Sequence, residues 1–269
     1  MASSSAVLPR HNGYARVVGG PTTVFDLGGL RIVSDPTFDA PGPHGYLTKT
    51  EGPALTEDRL ADVDLVLVSH DNHADNLDGR GRAFALAAPL MLTTTTGAER
   101  LGIPARGLAA WDTHTLARPD GGTLTVTAVP AVHGPEDGER DADGEVNCQV
   151  IGFILAGAGL PTVYVSGDNA SLRTVTEIAR RTPCIDATIL HAGAARVPGK
   201  FRERPVSLDS VRTAAAAAIL GAPVNIPAHY TGWTHFTEGR DAIEHAFDDA
   251  GLTSVLRIAD HGTWLPLKP

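Results

Sequence analysis

Residues 64–76 read DLVLVSHDNHADN, an apolar run that ends in two histidines, His70 and His73, and two aspartates, Asp71 and Asp75. The apolar run predicts a buried strand, and the cluster stands where that strand ends. Imidazole nitrogens and carboxylate oxygens together suit zinc, and a larger share of oxygen suits iron or manganese. The pattern therefore indicates a metal site, with a polar loop that caps a helix as the alternative.

Three more potential ligands follow predicted strands further along the chain. The runs VTAVPAV at 126–132, PTVYVSG at 161–167 and VNIPA at 224–228 lead directly to His133, Asp168 and His229. Binding residues concentrate on loops that a rigid sheet carries, so four strand ends can converge on one rim. This distribution favours one shared site over histidines scattered through the core.

The ordered series of these segments resembles the metallo-β-lactamase-fold hydrolases, in the branch that includes L-ascorbate-6-phosphate lactonase-like proteins. The similarity covers nearly the whole chain and comprises TVFDLGGLRIVSDP at 23–36, the His70 cluster, AVHG at 131–134, SGD at 166–168 and IPAHYTGWTHF at 226–236. The resemblance implies an α/β fold with four layers, an αββα sandwich of the metallo-β-lactamase type.

The first cluster departs from the family motif H-x-H-x-D-H. Counted from the strand, His70 is the first histidine of the motif. Counted back from Asp75, His73 is the second histidine and Asp71 takes the first position, while Asn76 stands where the last histidine is expected. The two registers hold together only with a bulge. We expect His70 and His73 both to bind, because residues three apart lie on one side of a turn.

Two metal positions follow from the resemblance, both built from histidines and aspartates that end predicted strands: His70, His73 and His133 in the first, and Asp75, the bridging Asp168 and His229 in the second. An amide oxygen binds zinc more weakly than imidazole does. At Asn76 the second position is therefore loose, empty, or completed by Asp71 or His191. The expected cofactor is zinc, as one or two ions, with manganese or iron as the alternatives.

A metal site of this kind predicts a hydrolase. A metal ion held by neutral histidines lowers the pKa of bound water from about 15.7 to about 7, which makes hydroxide available at neutral pH. Asp75 is expected to orient or deprotonate this nucleophile, and Asp71 is the other catalytic candidate. Tyr230, Trp233 and His235 follow the last motif histidine and are expected to flank the substrate or protonate the leaving group, with core packing as an equal alternative.

The predicted reaction is hydrolysis of an ester, lactone, amide or phosphoester bond in a small molecule, and the sequence does not choose among these bonds. One alternative is iron-dependent redox or other non-hydrolytic chemistry, for which the carboxylate-rich ligand set leaves room. Another is a small-molecule-binding protein whose catalytic site decayed at Asn76, since a fold does not fix a function.

Composition narrows the class of partner. The chain has 269 residues and 42% hydrophobic residues, ample for the core of one large domain. Its 22 basic and 31 acidic residues give a net charge of −9, which disfavours a nucleic-acid binder. No apolar run approaches the ~18 residues of a membrane span, and the N-terminus lacks the features of a secretory signal. We expect a cytoplasmic protein with a small-molecule substrate, no nucleic-acid or membrane partner, and possible homo-oligomers.

Residues 1–10 are predicted to form a disordered or frayed tail, and residues 11–269 a single metallo-β-lactamase-like domain. The two cysteines, Cys148 and Cys184, lie in apolar surroundings. They are predicted to be buried free thiols, with a disulfide as the alternative.

The chain also shows a faint internal echo. Predicted hairpins over 23–35 and 151–168 each end in a Ser-Asp or Ser-Gly-Asp turn. Each is followed by an aspartate and a buried strand that ends on a histidine, His70 in the first half and His191 in the second. Two such halves predict a sheet-on-sheet core with helices outside and the metal site at the shared edge.

Three helices and two loops complete the prediction. Capping residues and apolar spacing predict helices over 171–181, 207–220 and 237–251. Residues 40–45 are rich in proline and glycine, and residues 134–144 in acidic residues and glycine. Both segments are predicted to be loops near the rim, either covering the substrate or simply solvated.

Overall fold

A computed structural model describes residues 7–140 and 146–269. In chain order, the strands of these residues are β1 (Tyr14–Gly19), β2 (Thr22–Leu27), β3 (Leu30–Ser34), β4 (Gly42–His44), β5 (Leu47–Lys49), β6 (Leu65–Leu67), β7 (Met91–Thr94), β8 (Ala105–Leu108), β9 (Thr113–Ala117), β10 (Thr123–Pro130), β11 (Ile151–Ala156), β12 (Val163–Val165), β13 (Ala187–His191), β14 (Val224–Ala228) and β15 (Leu265–Pro266). The α-helices are α1 (Gly79–Ala87), α2 (Thr95–Leu101), α3 (Leu172–Arg181), α4 (Ser210–Leu220) and α5 (Arg240–Asp249). Short 3-10 turns cover Glu57–Leu60, Phe201–Glu203 and Thr253–Val255.

The strands form two large sheets that repeat one topology. The first sheet has the order β15-β1-β2-β3-β6-β7-β8, and the second has the order β14-β13-β12-β11-β10-β9. In each half, antiparallel hairpins lead into parallel strands, at β3 and β6 in the first and at β12 and β13 in the second. The internal echo of the sequence is therefore a real repeat of the fold.

The space between the two sheets holds the main hydrophobic core. Phe25 and Leu27 of β2 point into this core, whereas Val24 points to the opposite face of its sheet. In β11, Phe153 points inward and Ile154 outward. This alternation is the two-residue period of a strand, and sheets that are buried on both faces need a cover of helices. The sheets are therefore the two inner layers.

The helices form the two outer layers. α3 and α5 bury Val175 and Phe247 against Tyr164, on the outer face of the second sheet. Ala85 of α1 and Leu101 of α2 pack on the outer face of the first sheet. The prediction of an α/β, four-layer αββα sandwich is confirmed.

Capping side chains set the observed helix starts. Ser171 caps α3 as predicted, because its side chain accepts a hydrogen bond from a first-turn amide. α4 begins at Ser210 and not at residue 207, because the Asp209 carboxylate supplies the cap. It ends as predicted at Gly221, which adopts the left-handed conformation. The predicted start of a helix at residue 237 was likewise three residues early, since α5 begins at Arg240.

Two helices and one hairpin were not predicted. α1 reads GRGRAFALA, which lacks an apolar period, and its N-terminus depends on the Asp78 carboxylate, which accepts a hydrogen bond from the Gly81 amide. α2 has only seven residues. Residues 40–45, predicted to be a loop, include β4, which pairs with β5 in a hairpin. Gly45 at its turn has a φ of 64°, a value that glycine adopts without strain.

The described part of the predicted tail contacts the first sheet. The carbonyls of Leu8 and Pro9 accept hydrogen bonds from the Arg31 guanidinium at 2.9 and 3.0 Å. The rest of the tail, residues 1–6, and the last part of the second predicted loop, residues 141–144, lie outside the described residues. The division into a tail and a single domain stays a prediction.

Both cysteines are free thiols, as predicted. The predicted burial was wrong for Cys184, which is exposed, whereas Cys148 is partly buried. Among residues 7–140 and 146–269, no helix has both the length and the apolar character needed to cross a membrane.

Candidate metal centre

Polar side chains collect where strands of both sheets end. Three of them, His70, His133 and Asp168, lie three residues beyond β6, β10 and β12. His191 is the last residue of β13, and His229 follows β14 directly. Because the two halves repeat one topology, these ends meet at the shared edge of the two sheets. The distant segments therefore converge on one rim, as predicted.

The two halves touch beside these residues. The Ser69 carbonyl accepts a hydrogen bond from the Ile151 amide at 3.1 Å. Gly167 has a φ of 56°, and a Cβ there would stand 2.7 Å from the Ile151 oxygen and 2.9 Å from the Ser69 Cβ. Only glycine fits without displacing a neighbour. The close approach holds His70 and Asp168, the next residues along each chain segment, next to each other.

Three imidazoles form the first group. His73 Nδ1 lies 3.0 Å from His70 Nε2 and 3.1 Å from His133 Nε2. Nitrogens that share a tetrahedral ion at about 2.0–2.1 Å stand about 3.3 Å apart, so this spacing is close to that of a common ion. His133 Nδ1 donates to the Val206 carbonyl at 2.8 Å, which leaves Nε2 free to bind. His70 and His73 both belong to the group, so the structure supports the register in which both bind.

Asp168 lies between this group and a second one. Its Oδ2 is 3.6 Å from His133 Nε2, and its Oδ1 is 3.4 Å from His229 Nε2. His191 Nδ1 lies 2.7 Å from the same Oδ1. Potential ligand atoms of Asp168, His191 and His229 all lie within 4.8 Å of one another. A carboxylate with one oxygen toward each group has the geometry of a bridging ligand.

Asp75 lies beside the second group. Its Oδ2 is 3.2 Å from His229 Nε2 and 2.8 Å from His235 Nε2. The Asn76 amide donates to Asp168 Oδ1 at 3.3 Å, so Asn76 touches the bridging carboxylate where the family motif has a histidine. His191 is buried, and its imidazole lies in the second group, close to Asp168 and His229.

The structure does not bring Asp71 to either group. Its carboxylate accepts a hydrogen bond from Arg100 Nε at 2.9 Å, which turns it toward α2. The two candidates for completing the second position, Asp71 and His191, are therefore separated by the fold. Spacing along the sequence does not reveal this, because Arg100 lies 29 residues from Asp71.

Burial and neighbouring charges set the protonation of the two groups. Burial, and next the adjacent His133, lower the pKa of His73 to about 4 and hold that of His70 well below its usual value. Burial alone would raise the pKa of Asp75, but His235 and His229 hold it well below its usual value. At neutral pH His70 and His73 are thus neutral and Asp75 is ionised, the forms that bind metal. For His229, burial alone would lower the pKa, but the charges of Asp168 and Asp75 raise it above its usual value.

Several buried polar atoms at this centre have no hydrogen-bond partner among the described residues: Asp75 Oδ1, Asn76 Oδ1, Asp168 Oδ2, His191 Nε2 and His229 Nδ1. An unpaired buried polar atom costs free energy, and so many at one place need an explanation. Imidazoles and carboxylates are the donors that zinc, iron and manganese take in proteins. The residues present therefore fit a metal centre.

The predicted substrate residues have different surroundings. His235 contacts Asp75, as described above. Trp233 is buried beneath the β4–β5 hairpin, with its ring 5.3 Å from that of His44 and 6.3 Å from that of His235. Tyr230 packs in the hydrophobic cluster between the second sheet and its helices, which is the core-packing alternative.

Tyr46 was missed from the sequence, where only the adjacent run of proline and glycine marks it. It stands at the turn of the β4–β5 hairpin. Although Tyr46 is 63% exposed, desolvation and the charges of Asp75, Cys148 and Asp168 raise its pKa to about 12. A phenol beside the carboxylates of the centre stays protonated at neutral pH and is available as a hydrogen-bond donor.

In protein from which metal has been removed by chelation, we expect His73 to lower the free energy of unfolding progressively as the pH falls from 6.5 to 4. Burial lowers its pKa to about 4, whereas an unfolded imidazole titrates near 6.5, so the unfolded state takes up the proton first. In urea titrations, the unfolding free energy of the wild type relative to that of His73→Gln should decrease by up to about 3 kcal/mol across this pH range. The difference is needed because Asp35, with a pKa raised to about 7 by burial, has the opposite effect. A difference between the two proteins that does not change with pH would contradict the lowered pKa of His73.

Comparisons with known proteins agree with this geometry. The sequence profile of the beta-lactamase superfamily domain matches residues 30–230. A "UPF0173 metal-dependent hydrolase" of Methanosphaerula palustris is 29% identical over 206 residues, which cover 75% of this chain and 84% of that protein.

Two solved structures share the fold. A possible metal-dependent hydrolase from Veillonella parvula has a TM-score of 0.79 at 17% identity, over 95% of this chain and 100% of its own. The isothiocyanate hydrolase from Delia radicum gut bacteria has a TM-score of 0.77 at 18% identity, over 94% of this chain and 98% of its own.

The matches bear on the predictions at the level of the superfamily. The profile and the sequence relative show a metal-dependent hydrolase of the metallo-β-lactamase superfamily and leave the substrate and the bond unspecified, and the solved structures show the shared fold. These matches do not establish the lactonase-like branch or the identity of the metal. Because the profile covers most of its residues, including every strand end described above, the chain belongs to the beta-lactamase superfamily.

Proposed function

We propose that this protein hydrolyses an ester, lactone, amide or phosphoester bond in a small molecule with a two-metal centre. The observation that carries the proposal is Asp168, whose two oxygens face two groups of buried ligands at 3.6 and 3.4 Å. Two-metal hydrolytic sites need a bridging group of this kind.

The proposed ligands divide between two positions. His70, His73 and His133 hold the first ion, and Asp75, Asp168 and His229 hold the second, with Asp168 shared. His191 completes the second position in place of the motif histidine that Asn76 replaces. Zinc is the metal we propose, because imidazole donors outnumber carboxylates. Manganese and iron are the alternatives.

Bound metal would polarise the substrate oxygen and activate water as the nucleophile. The chain itself positions and moves protons around that chemistry. Asp75 has one oxygen 2.8 Å from His235 Nε2 and a second oxygen that has no hydrogen-bond partner in the described part of the chain. The free oxygen is proposed to accept the proton of the nucleophile. His235 then holds the first oxygen and is itself placed to pass a proton toward a leaving group.

A small molecule is the proposed partner. The net charge of −9 argues against a nucleic-acid substrate. Lactones are first among the candidates because of the sequence resemblance, and isothiocyanates join them because one protein of the same fold is an isothiocyanate hydrolase. The β4–β5 hairpin, with Tyr46 at its turn, is proposed to border the substrate. The cytoplasmic location stays a prediction.

Iron-dependent redox chemistry is the second candidate. It is favoured by the carboxylates near the second position, where Asp35 lies with Asp75 and Asp168, since hard oxygen donors suit iron. A binding protein without turnover is the third. This candidate is favoured by Asn76, which stands where the family motif has a histidine.

Metal analysis and a substrate screen separate these candidates. Protein purified without chelator is expected to contain about two equivalents of zinc and to hydrolyse at least one lactone, ester or isothiocyanate. Chelation should abolish turnover, and added zinc should restore it. Iron as the main metal, with its characteristic absorption, would favour redox chemistry. Less than about half an equivalent of any transition metal would refute the proposed centre.

A further inference from the structure

Cys148 lies against the first group of histidines. It pairs with His133 in an isolated antiparallel bridge, which fixes its backbone beside that ligand. Potential ligand atoms of Cys148, His70, His73 and His133 all lie within 4.8 Å of one another. The thiol is partly buried, whereas Cys184 is exposed and belongs to no such cluster among the described residues. One of the two cysteines is thus placed as a potential ligand.

A second observation points to an ion in the same space. Asp168 is fully buried, and its Oδ2 has no hydrogen-bond partner among the described residues. That oxygen lies 3.6 Å from His133 Nε2, on the side of the first group. An unpaired buried carboxylate oxygen needs a cation or a donor to offset the loss of its hydration. The thiol therefore lies beside a position where a cation would compensate the unpaired Asp168 oxygen.

Resting on the proposed function, we propose that Cys148 is a further protein donor to the first metal position, beside the three histidines and the shared Asp168. On binding, the S–H bond breaks, the proton leaves to solvent, and the thiolate lone pair forms the bond to the metal. No electron is transferred, so no oxidant or reductant is needed.

This donor set has two consequences. Thiolate selects soft or borderline ions such as zinc, cobalt and cadmium over manganese and magnesium. Three histidines, the shared Asp168 and Cys148 are five protein donors, whereas a catalytic site keeps a place for water or substrate. The first position would then be closed in the resting protein, and the substrate would be taken up at the second position, near Asp75 and His191.

Cobalt provides a test with a readout other than activity. In a Cys184→Ser background, Cys148 is the single thiol of the chain, which has two cysteines. Co(II) bound to this protein should give visible d–d bands and an intense near-ultraviolet band of thiolate-to-cobalt charge transfer. Adding Cys148→Ser should remove the near-ultraviolet band and weaken cadmium binding by at least about tenfold, since even residues that only orient a ligand contribute that much.

The outcomes separate this inference from the proposed function. Visible cobalt bands without the near-ultraviolet band would overturn the role of Cys148 while the metal centre stands. Absence of both bands would overturn the centre, and the role of Cys148 with it. The decisive spectrum is that of protein with Cys148 intact, so it does not depend on how the Cys148→Ser variant folds.

Discussion

Replacing Asp168 with alanine is expected to lower kcat/KM by at least about a thousandfold and to reduce the bound metal to one equivalent or less. Asp168 is the residue that faces both groups, so its loss removes a ligand from each position. Metal supplies several kcal/mol of transition-state stabilisation, and every 1.4 kcal/mol is about tenfold in rate. Elemental analysis and kinetics on the best substrate of the screen measure the two effects.

Asp71→Asn is the matched control. Asp71 lies in the same motif as the ligands, but its carboxylate pairs with Arg100 and not with either group. The variant should keep its metal and stay within about tenfold of the wild-type rate. Full activity and full metal content in Asp168→Ala would refute the bridging role, and loss of metal from Asp71→Asn would show that the register assigned to the motif is wrong.

Replacing Asp78 with alanine is expected to reduce the free energy of unfolding by about 3–5 kcal/mol. Asp78 is buried and forms an ion pair with the buried Lys49 at 2.9 Å. Its carboxylate also accepts hydrogen bonds from the amides of Phe38, Asp39 and Gly81, so it joins the β5 end of the hairpin to the start of α1. Removing one partner leaves the Lys49 charge buried without compensation.

Glu57→Ala provides the comparison for that loss. Glu57 pairs with Arg80, whose side chain is 52% exposed, and exposed pairs contribute about 0–1 kcal/mol. Urea titrations of the two variants should therefore differ by at least about 2 kcal/mol. The variant Lys49→Met with Asp78→Ala should recover part of the stability, because no unpaired charge remains. Equal effects of Asp78→Ala and Glu57→Ala would contradict the buried pair.

The candidate ligand residues were predictable because each follows an apolar strand, and strand ends carry functional side chains on a rigid edge. His70, His133, Asp168 and His229 were found on this basis, and the structure brings them together. The broken motif was harder, because the sequence alone allows either Asp71 or His191 to replace the missing histidine. The difference is a single contact with Arg100, which spacing does not encode.

Other features could not be predicted, because the sequence around them carries no pattern that indicates them. α1 has no apolar period, since glycine and arginine alternate at its start, and its Asp78 cap matters only after the chain folds. Tyr46 and Cys148 carry no motif around them. Their relation to the centre arises from a hairpin turn and from a single bridge to His133, both of which pair residues by tertiary structure.

The αββα architecture, its internal repeat and most of the candidate metal ligands could be inferred from the sequence, because the apolar period and the residue after each strand are local properties. Only the folded chain shows that His70 and His73 both face the candidate metal centre, that His191 lies beside Asp168 and that Asp71 does not. It also brought Cys148 beside the first group. The contact of the two halves at Ser69 and Gly167 holds His70 beside Asp168, and such contact between distant segments is fixed by the geometry of the folded chain and by no local pattern.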